Sequence, residues 1–436
     1  MQFSKTELTG FMKPDTYLLY ETRQNAPSNT NIRIALELTE DINGELLRAA
    51  VNEAIKRYPY FSVRIKIENG SYILVPNPLP IVVMETRIPS VPLGSEEVNY
   101  HLNYLDYADD TIFFNASHSI TDGAGYLPFI KSVLYQYLIR AHNEPLSAEG
   151  IRLPDSAFLP GEVDFPDSGS LPEVDERYVT KTAASYFPAD DYIQAMKHPD
   201  CRNEGYYCIS MKQREFMKYI HSNDGSPAAI IAVLLFKALA PLFPEADTFS
   251  AGIASNFRNA VNCQNAYHSL STALHVTYQR SFLDMPVDKL GTITRGMIML
   301  QSLPENSVIH MKEVLKFYED IDSRKTIEEK RSFCLQEGLF TKGCKDTYNV
   351  SYVGRTDFGS MDKYVRSLHS LAYGNLLIEV NAIGNMFYIA FNQVRKQDRY
   401  IKAFLSILRE EGLSYSVSDY RIKNIAPIVF PENLGK

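Results

Sequence analysis

The stretch FFNASHSITDGAGYLPFI, Phe113 to Ile130, holds an imidazole at His118, a carboxylate at Asp122 and glycines at Gly123 and Gly125. Histidine changes charge near neutral pH, so a neutral His118 held in a fixed orientation is suited to general-base work. Asp122 stands where a helix N-cap would stand, with its carboxylate beside the free amides of a first turn. The glycines permit a tight backbone course and leave room for another group to pass close by. The alternative is a surface histidine beside an ordinary capping aspartate, and the spacing alone does not choose between them.

The surrounding elements have to put that pair at a junction. Thr111–Ser117 is an apolar run that reads as a strand, and after the pair Leu127, Ile130, Val133, Leu134, Tyr137 and Leu138 recur at helical spacing. Pro128 is tolerable in the first turn of such a helix. Upstream, Asn31–Thr39 reads as a strand. A helix follows in which Ile42, Leu46, Leu47, Ala50, Val51, Ala54 and Ile55 keep one face apolar until Pro59 stops it. Tyr60–Pro76 reads as a hairpin around Glu68-Asn69-Gly70.

From about Asn143 to Thr182 the periodicity dissolves into Pro, Asp, Gly and Ser, the composition of a linker or a functional loop. The boundary is therefore placed there: a first lobe over residues 1–160, a linker or crossover over 161–182 and a second lobe over 183–436. The second half opens with a strand at Gly205–Met211. A helix then starts at Ser226-Pro227, with serine as N-cap and proline in the first helical position. Strands at Thr248–Asn256 and Leu270–Gln279, a helical block from Val287 to Leu339, a strand at Tyr348–Gly354, a hairpin over Asn375–Gln393 and a helix over Asp398–Gly412 follow. Both halves alternate strands and helices, so each is expected to be an α/β layer packing. Asn349 and Ser351 alternate with Val350 and Tyr352, which points both to one face of their strand.

Composition narrows the function classes. A net charge of -8 argues against the basic footprint of a nucleic-acid binder. Five cysteines with no Cys-x-x-Cys spacing read as reduced thiols in a cytoplasmic protein. The first residues lack the apolar core of a signal peptide. The longest apolar run, Ala228–Phe243, contains Lys237 and Pro241 and is shorter than the roughly 20 residues of a membrane span, so a buried core helix is expected. His268 and His275 would lie on opposite faces of one strand, and no His, Cys and Asp cluster has zinc spacing. Ser323–Arg331 reads as a solvated helix face.

Strand, SHSITDG and helix together resemble the His-x-x-x-Asp-Gly signature of the chloramphenicol acetyltransferase-like acyltransferases. That superfamily includes peptide-synthetase condensation domains, plant acyl-CoA transferases and alcohol O-acetyltransferases. Arg57–Ile67 resembles the segment that ends the first long helix there. Ser255–Val261 (SNFRNAV) resembles the Asn-x-Arg stretch of the second lobe, and Asn349–Gly359 (NVSYVGRTDFG) resembles the Asn-x-Ser-x-x-Gly strand of bacterial alcohol acetyltransferase-like members. The resemblance spans most of the chain. It implies two similar lobes, each a mixed sheet packed with helices, and a tunnel between them with the histidine midway.

Carried onto this chain, the resemblance makes His118 the base that deprotonates an alcohol or amine acceptor for attack on a thioester. The co-substrate would be acyl-CoA or an acyl-phosphopantetheine, with no cofactor bound permanently. Asp122 would hold the turn through an ion pair with Arg64, and Gly123 would leave space for the pantetheine arm. Ser351 would either donate to the developing oxyanion or supply ordinary strand polarity. Arg258 would either hold a turn or reach the phosphates of coenzyme A. Ser117 stands where condensation domains usually carry a second histidine, and Asp357-Phe358-Gly359 continues as Ser360-Met361 instead of the plant-type Asp-Phe-Gly-Trp-Gly. The resemblance is therefore greatest to a free-standing bacterial alcohol O-acetyltransferase. Two other readings stay open, a transferase served by an acyl carrier protein and a non-catalytic binding module of the same fold.

Overall fold

The computed structural model describes residues 12–22, 31–142, 145–175, 205–337, 346–372, 376–393 and 396–433. A 3-10 turn at Lys13–Thr16 leads into a short helix, α1 (Tyr17–Glu21), and the first strand is β1 (Asn31–Leu38). Asn43 caps the next helix, α2 (Gly44–Ala54), by accepting from the amides of Glu45 and Leu46. Leu47, Ala50, Val51 and Ala54 are the buried stripe of that helix. Strands β2 (Val63–Glu68) and β3 (Ser71–Pro76) form a separate two-stranded hairpin. Its turn residues Asn69 and Gly70 take the positive φ values that a tight hairpin turn requires.

β4 (Val83–Glu85), β5 (Asn103–Ala108) and β6 (Thr111–Ser117) come next, followed by helix α3 (Gly123–Ala141). After the turns of 145–175 the second half supplies β7 (Gly205–Lys212), α4 (Gln213–Ser222), α5 (Pro227–Leu239), β8 (Thr248–Asn256) and β9 (Ser271–Gln279). Ser226 caps α5 as its sequence predicts. The helix is buried nearly all round, which matches the core-helix expectation. Among the described residues no single helix is long and apolar enough to cross a membrane. Helices α6 (Val287–Gln301), α7 (Pro304–Asp322) and α8 (Ile327–Glu337) make up the helical block. The chain closes with β10 (Tyr348–Arg355), β11 (Val365–Ala372), β12 (Leu377–Ile383), β13 (Met386–Gln393), helix α9 (Arg399–Glu410) and two short strands, β14 (Ser416–Val417) and β15 (Arg421–Ile422).

The strands form two large mixed sheets. One has the order β11-β1-β6-β5-β4 and the other β14-β7-β13-β12-β10-β8-β9, with β15 also on β7. Val350, Ile378 and Val380 join Ile230, Leu234 and Phe404 in one apolar core, so α5 and α9 back the outer face of the larger sheet. Its inner face meets the smaller sheet. Tyr388 donates to the Arg366 carbonyl at 2.8 Å, and Leu371 packs against Tyr206 and Ala390.

Strand β11 was not anticipated. It lies in the second half of the chain yet pairs antiparallel with β1 along Ile32–Leu38, completing the sheet of the first lobe. The 145–175 stretch is fastened along its middle. Glu162 accepts the two terminal Arg57 nitrogens at 2.7 Å and the Tyr60 hydroxyl at 2.6 Å, while its own carbonyl accepts the Tyr267 amide at 3.0 Å. Residues 143–144 and 176–182 of the expected linker lie outside the described residues.

Candidate active site

Ser117 is the last residue of β6, and His118 begins the turn that leads to α3. Ser117 and Ser119, both fully buried, bond through their hydroxyls at 2.9 Å and brace the two sides of the histidine. Asp122 has extended backbone and caps α3 by accepting the Gly125 amide at 2.9 Å. The His118 ring is partly buried, and its Nδ1 has no hydrogen-bond partner among the described residues. Burial pushes the imidazole below its ordinary value, against the opposing pull of the Asp122 carboxylate and a backbone contact with Thr121. The ring is therefore neutral at pH 7 and able to accept a proton.

The ion-pair partner of Asp122 is Arg258, not Arg64. Arg258 Nη2 reaches Asp122 Oδ1 at 2.6 Å, with both groups almost wholly buried. Arg64 is exposed on β2, where Val63 and Ile65 take the inward positions and the hairpin stands apart from the sheet that carries His118. Arg258 also donates to the carbonyls of Ala266 and His268 and is steadied by Asn256, whose side-chain oxygen accepts its amide at 3.1 Å. Of the two roles open to it in sequence, the one it plays here is to hold a turn. The second Asp122 oxygen accepts the Leu270 amide at 3.1 Å. The carboxylate thus ties the end of β6 to the approach of β9, one lobe to the other.

The same segment docks further. Thr121 donates to the Tyr267 carbonyl at 2.8 Å. A Cβ on Gly125 would come within 2.1 Å of that carbonyl, whereas one on Gly123 would meet nothing within 4 Å. Gly125 is therefore the glycine that the packing of the protein itself demands, and Gly123 is the one beside open space. Behind the segment, Tyr267 stacks on Tyr60 with centroids 4.0 Å apart, and its hydroxyl reaches Asp15 at 3.2 Å. His268 Nδ1 lies 2.9 Å from the same carboxylate, and burial raises the Asp15 carboxyl above its ordinary value. His268 precedes β9, so it does not share a strand with His275 as expected. Asp15, Glu162 and Tyr267 were missed in sequence, because they lie far apart along the chain and nothing in their local spacing announces the contact.

Asn349 and Ser351 sit on β10 and share the partly exposed inner face that their alternation predicts. Ser351 stands opposite Glu379 of β12, whose carboxyl burial pushes up to about 7 against the opposing pull of the Ser351 hydroxyl. His275 bonds Asp346 at 3.0 Å through Nδ1, and that bond raises the imidazole above its ordinary value. Ser117, His118, Asp122, Gly123 and Arg258 come together at one turn. Asn349 and Ser351 lie on the facing sheet, and Arg64 is elsewhere. Among the described residues no group of three His, Cys, Asp or Glu side chains could hold a metal ion.

No family model and no curated protein matches the chain. Solved structures do. TRI101 of F. graminearum, in a complex with coenzyme A and T-2 mycotoxin, matches at a TM-score of 0.56 and 10% identity, over 93% of this chain and 98% of that one. TRI3 of Fusarium sporotrichioides, a trichothecene 15-O-acetyltransferase, matches at 0.54 and 11%, over 91% and 93%. Polyketide synthase associated protein 5 of Mycobacterium tuberculosis matches at 0.53 and 11%, over 91% and 95%. With two helix-backed mixed sheets joined through the His118 turn, the chain has the two-lobe fold of the chloramphenicol acetyltransferase-like acyltransferases.

Proposed function

We propose that the protein is an O-acyltransferase that moves an acyl group, in the first instance acetyl, from coenzyme A to an alcohol. The observation that carries this reading is His118, kept neutral by burial on a strand-to-helix turn that Asp122 and Arg258 fasten to both lobes. The coenzyme A bound to TRI101 and the O-acetyltransferase activity of TRI3 support the donor and the reaction class.

The residues divide the work as follows. An imidazole nitrogen of His118 takes the proton of the acceptor hydroxyl as its oxygen attacks the thioester carbonyl carbon. The tetrahedral oxyanion collapses, the carbon–sulfur bond breaks, and the imidazolium returns its proton to the departing thiolate. Asp122 and Arg258 keep the ring's backbone in place, so the geometry does not have to be found anew in each turnover. Open space at Gly123 suits passage of a narrow pantetheine arm.

The test is acetyl-CoA with a panel of alcohols, following thiol release and product mass. Acceptor-dependent release should fall by about 10²–10⁴-fold in His118→Ala. Protonation removes the base, so the acid limb of the wild-type rate should lie below the ordinary histidine value of 6.5. Equal rates for mutant and wild type would sink the general-base role.

A further inference from the structure

The inner face of the larger sheet carries polar groups that proton transfer by His118 leaves unused. Across three strands Asn349 stands opposite Gly252, and Gly252 opposite His275; one step on, Ala254 stands opposite Ala273, and Ser351 opposite Glu379. Residues opposed in this way point to the same face. Ala254 and Ala273 thus make a floor of small residues between polar walls. The floor is open, because Ala254 is exposed although β8 is an interior strand. Asn349, Ser351 and Glu379, also on interior strands, are each partly exposed. At Gly252 the face is closed, since Gly252 is buried and a Cβ there would sit 2.2 Å from Asn349 Oδ1 and 2.5 Å from Asp346 Oδ2; the open part begins at Ala254.

The strands of the trough lead toward the His118 turn from two directions. β8 runs from Gly252 through Ala254 to Asn256 and then Arg258, which holds Asp122. β11 ends at Ala372, opposite Ile32, which is itself opposite Ala116, and β12 begins shortly afterwards at Leu377.

His275 is matched by Asp346. In the row of Glu379, Ala390 intervenes before Cys208, whose thiol lies 3.8 Å from the His369 ring. Burial keeps that thiol and that imidazole neutral at pH 7. Of the bases on that side, Arg421 acts on Tyr206 and the buried Lys423 donates to the Ala372 carbonyl at 2.9 Å. Ser351, opposite Glu379 on the neighbouring strand, is the described side chain that draws its proton affinity down, against burial that raises the carboxyl to about 7. On the same face the buried Asn392 Oδ1 has no partner among the described residues, while its Nδ2 donates to Ala390 at 3.1 Å.

We propose that this trough is the acceptor subsite and that Glu379, with Ser351 beside it, anchors a protonated amine on the acceptor, making the substrate an amino alcohol. This rests on the acyltransferase reading for its meaning but not for its test. A carboxyl drawn out of water holds its proton until a cation joins it, and an ammonium that also hydrogen-bonds is such a cation. The hydroxyl at the other end of the same molecule is then the group that His118 deprotonates.

Carbon-13 labelling of glutamate carboxyls, with Glu379→Gln to assign the signal, gives the Glu379 titration in the intact protein. Aminopentanol should move its midpoint to lower pH by about one unit, the sign and size expected when a cation joins a carboxylate. Hexanol, with a methyl in place of the amine, should not, and His118→Ala should leave the aminopentanol shift intact. A midpoint unmoved by saturating aminopentanol, or moved equally by hexanol, overturns the proposal. Because this readout is binding and that of His118 is turnover, failure of either reading leaves the other standing.

Discussion

A histidine meant to accept a proton has to stay neutral beside a carboxylate that favours its charged form. At His118 burial wins over Asp122, and one reason is that Asp122 spends its charge on Arg258 at 2.6 Å. Removing the guanidinium should therefore do two things. Arg258→Ala would leave a buried carboxylate uncompensated, a loss of about 3–5 kcal/mol of stability. It would also raise the His118 pKa, moving the acid limb of activity to higher pH. Denaturant unfolding together with the pH profile reads both. Arg64→Ala should change stability by no more than about 0.5 kcal/mol, as for an ordinary surface residue. If Arg64→Ala were the more damaging of the two, the ion-pair assignment would be wrong.

At the scale of elements, the turn works because α3 begins under the Tyr267–Leu270 segment with no side chain in between. Gly125→Ala should push that segment off and lower the melting temperature by several degrees, while Gly123→Ala, facing open space, should leave it nearly unchanged. Thermal unfolding of the two variants separates them. Much at this scale was legible in sequence. The Thr111–Ser117 strand, the Asp122 and Ser226 caps and the shared face of Asn349 and Ser351 all follow from periods of 2 or 3.6 and from local hydrogen-bond chemistry. What stayed hidden is pairing between distant segments. Nothing near Arg258 says that its carboxylate is Asp122, and nothing near Glu379 says that Ser351 lies opposite. Register across a sheet is set by the whole fold, and a pattern of one segment does not contain it. β11 was missed for the same reason, because its polar residues find partners far away in sequence, Ser367 in Glu37 of β1 and His369 in Cys208 of β7.

For the whole molecule, the buried polar seam between the lobes makes stability depend on pH. His369 is held neutral by burial, with its pKa pushed down to about 4 from an ordinary 6.5. The unfolded chain takes up that proton first as pH falls, so the contribution is intact above 6.5 and drains away between 6.5 and about 4. The amount is about 3 kcal/mol at most. Unfolding followed across that window should show the slope in wild type and lose most of it in His369→Gln. An identical slope in both would place the titrating group elsewhere.

The pairing of Ile32 with Ala372 also sets a timetable. While the chain is being made, β1 leaves the ribosome early with one edge already able to bond β6 and the other open. The strand that closes the open edge arrives after most of the chain has been synthesised. Until then the first lobe presents a row of free amides and carbonyls, the kind of edge that recruits strands from other chains. The two lobes consequently cannot mature one after the other. They finish as a single late event, and a nascent chain stalled after its first half is the species that a chaperone would have to shield.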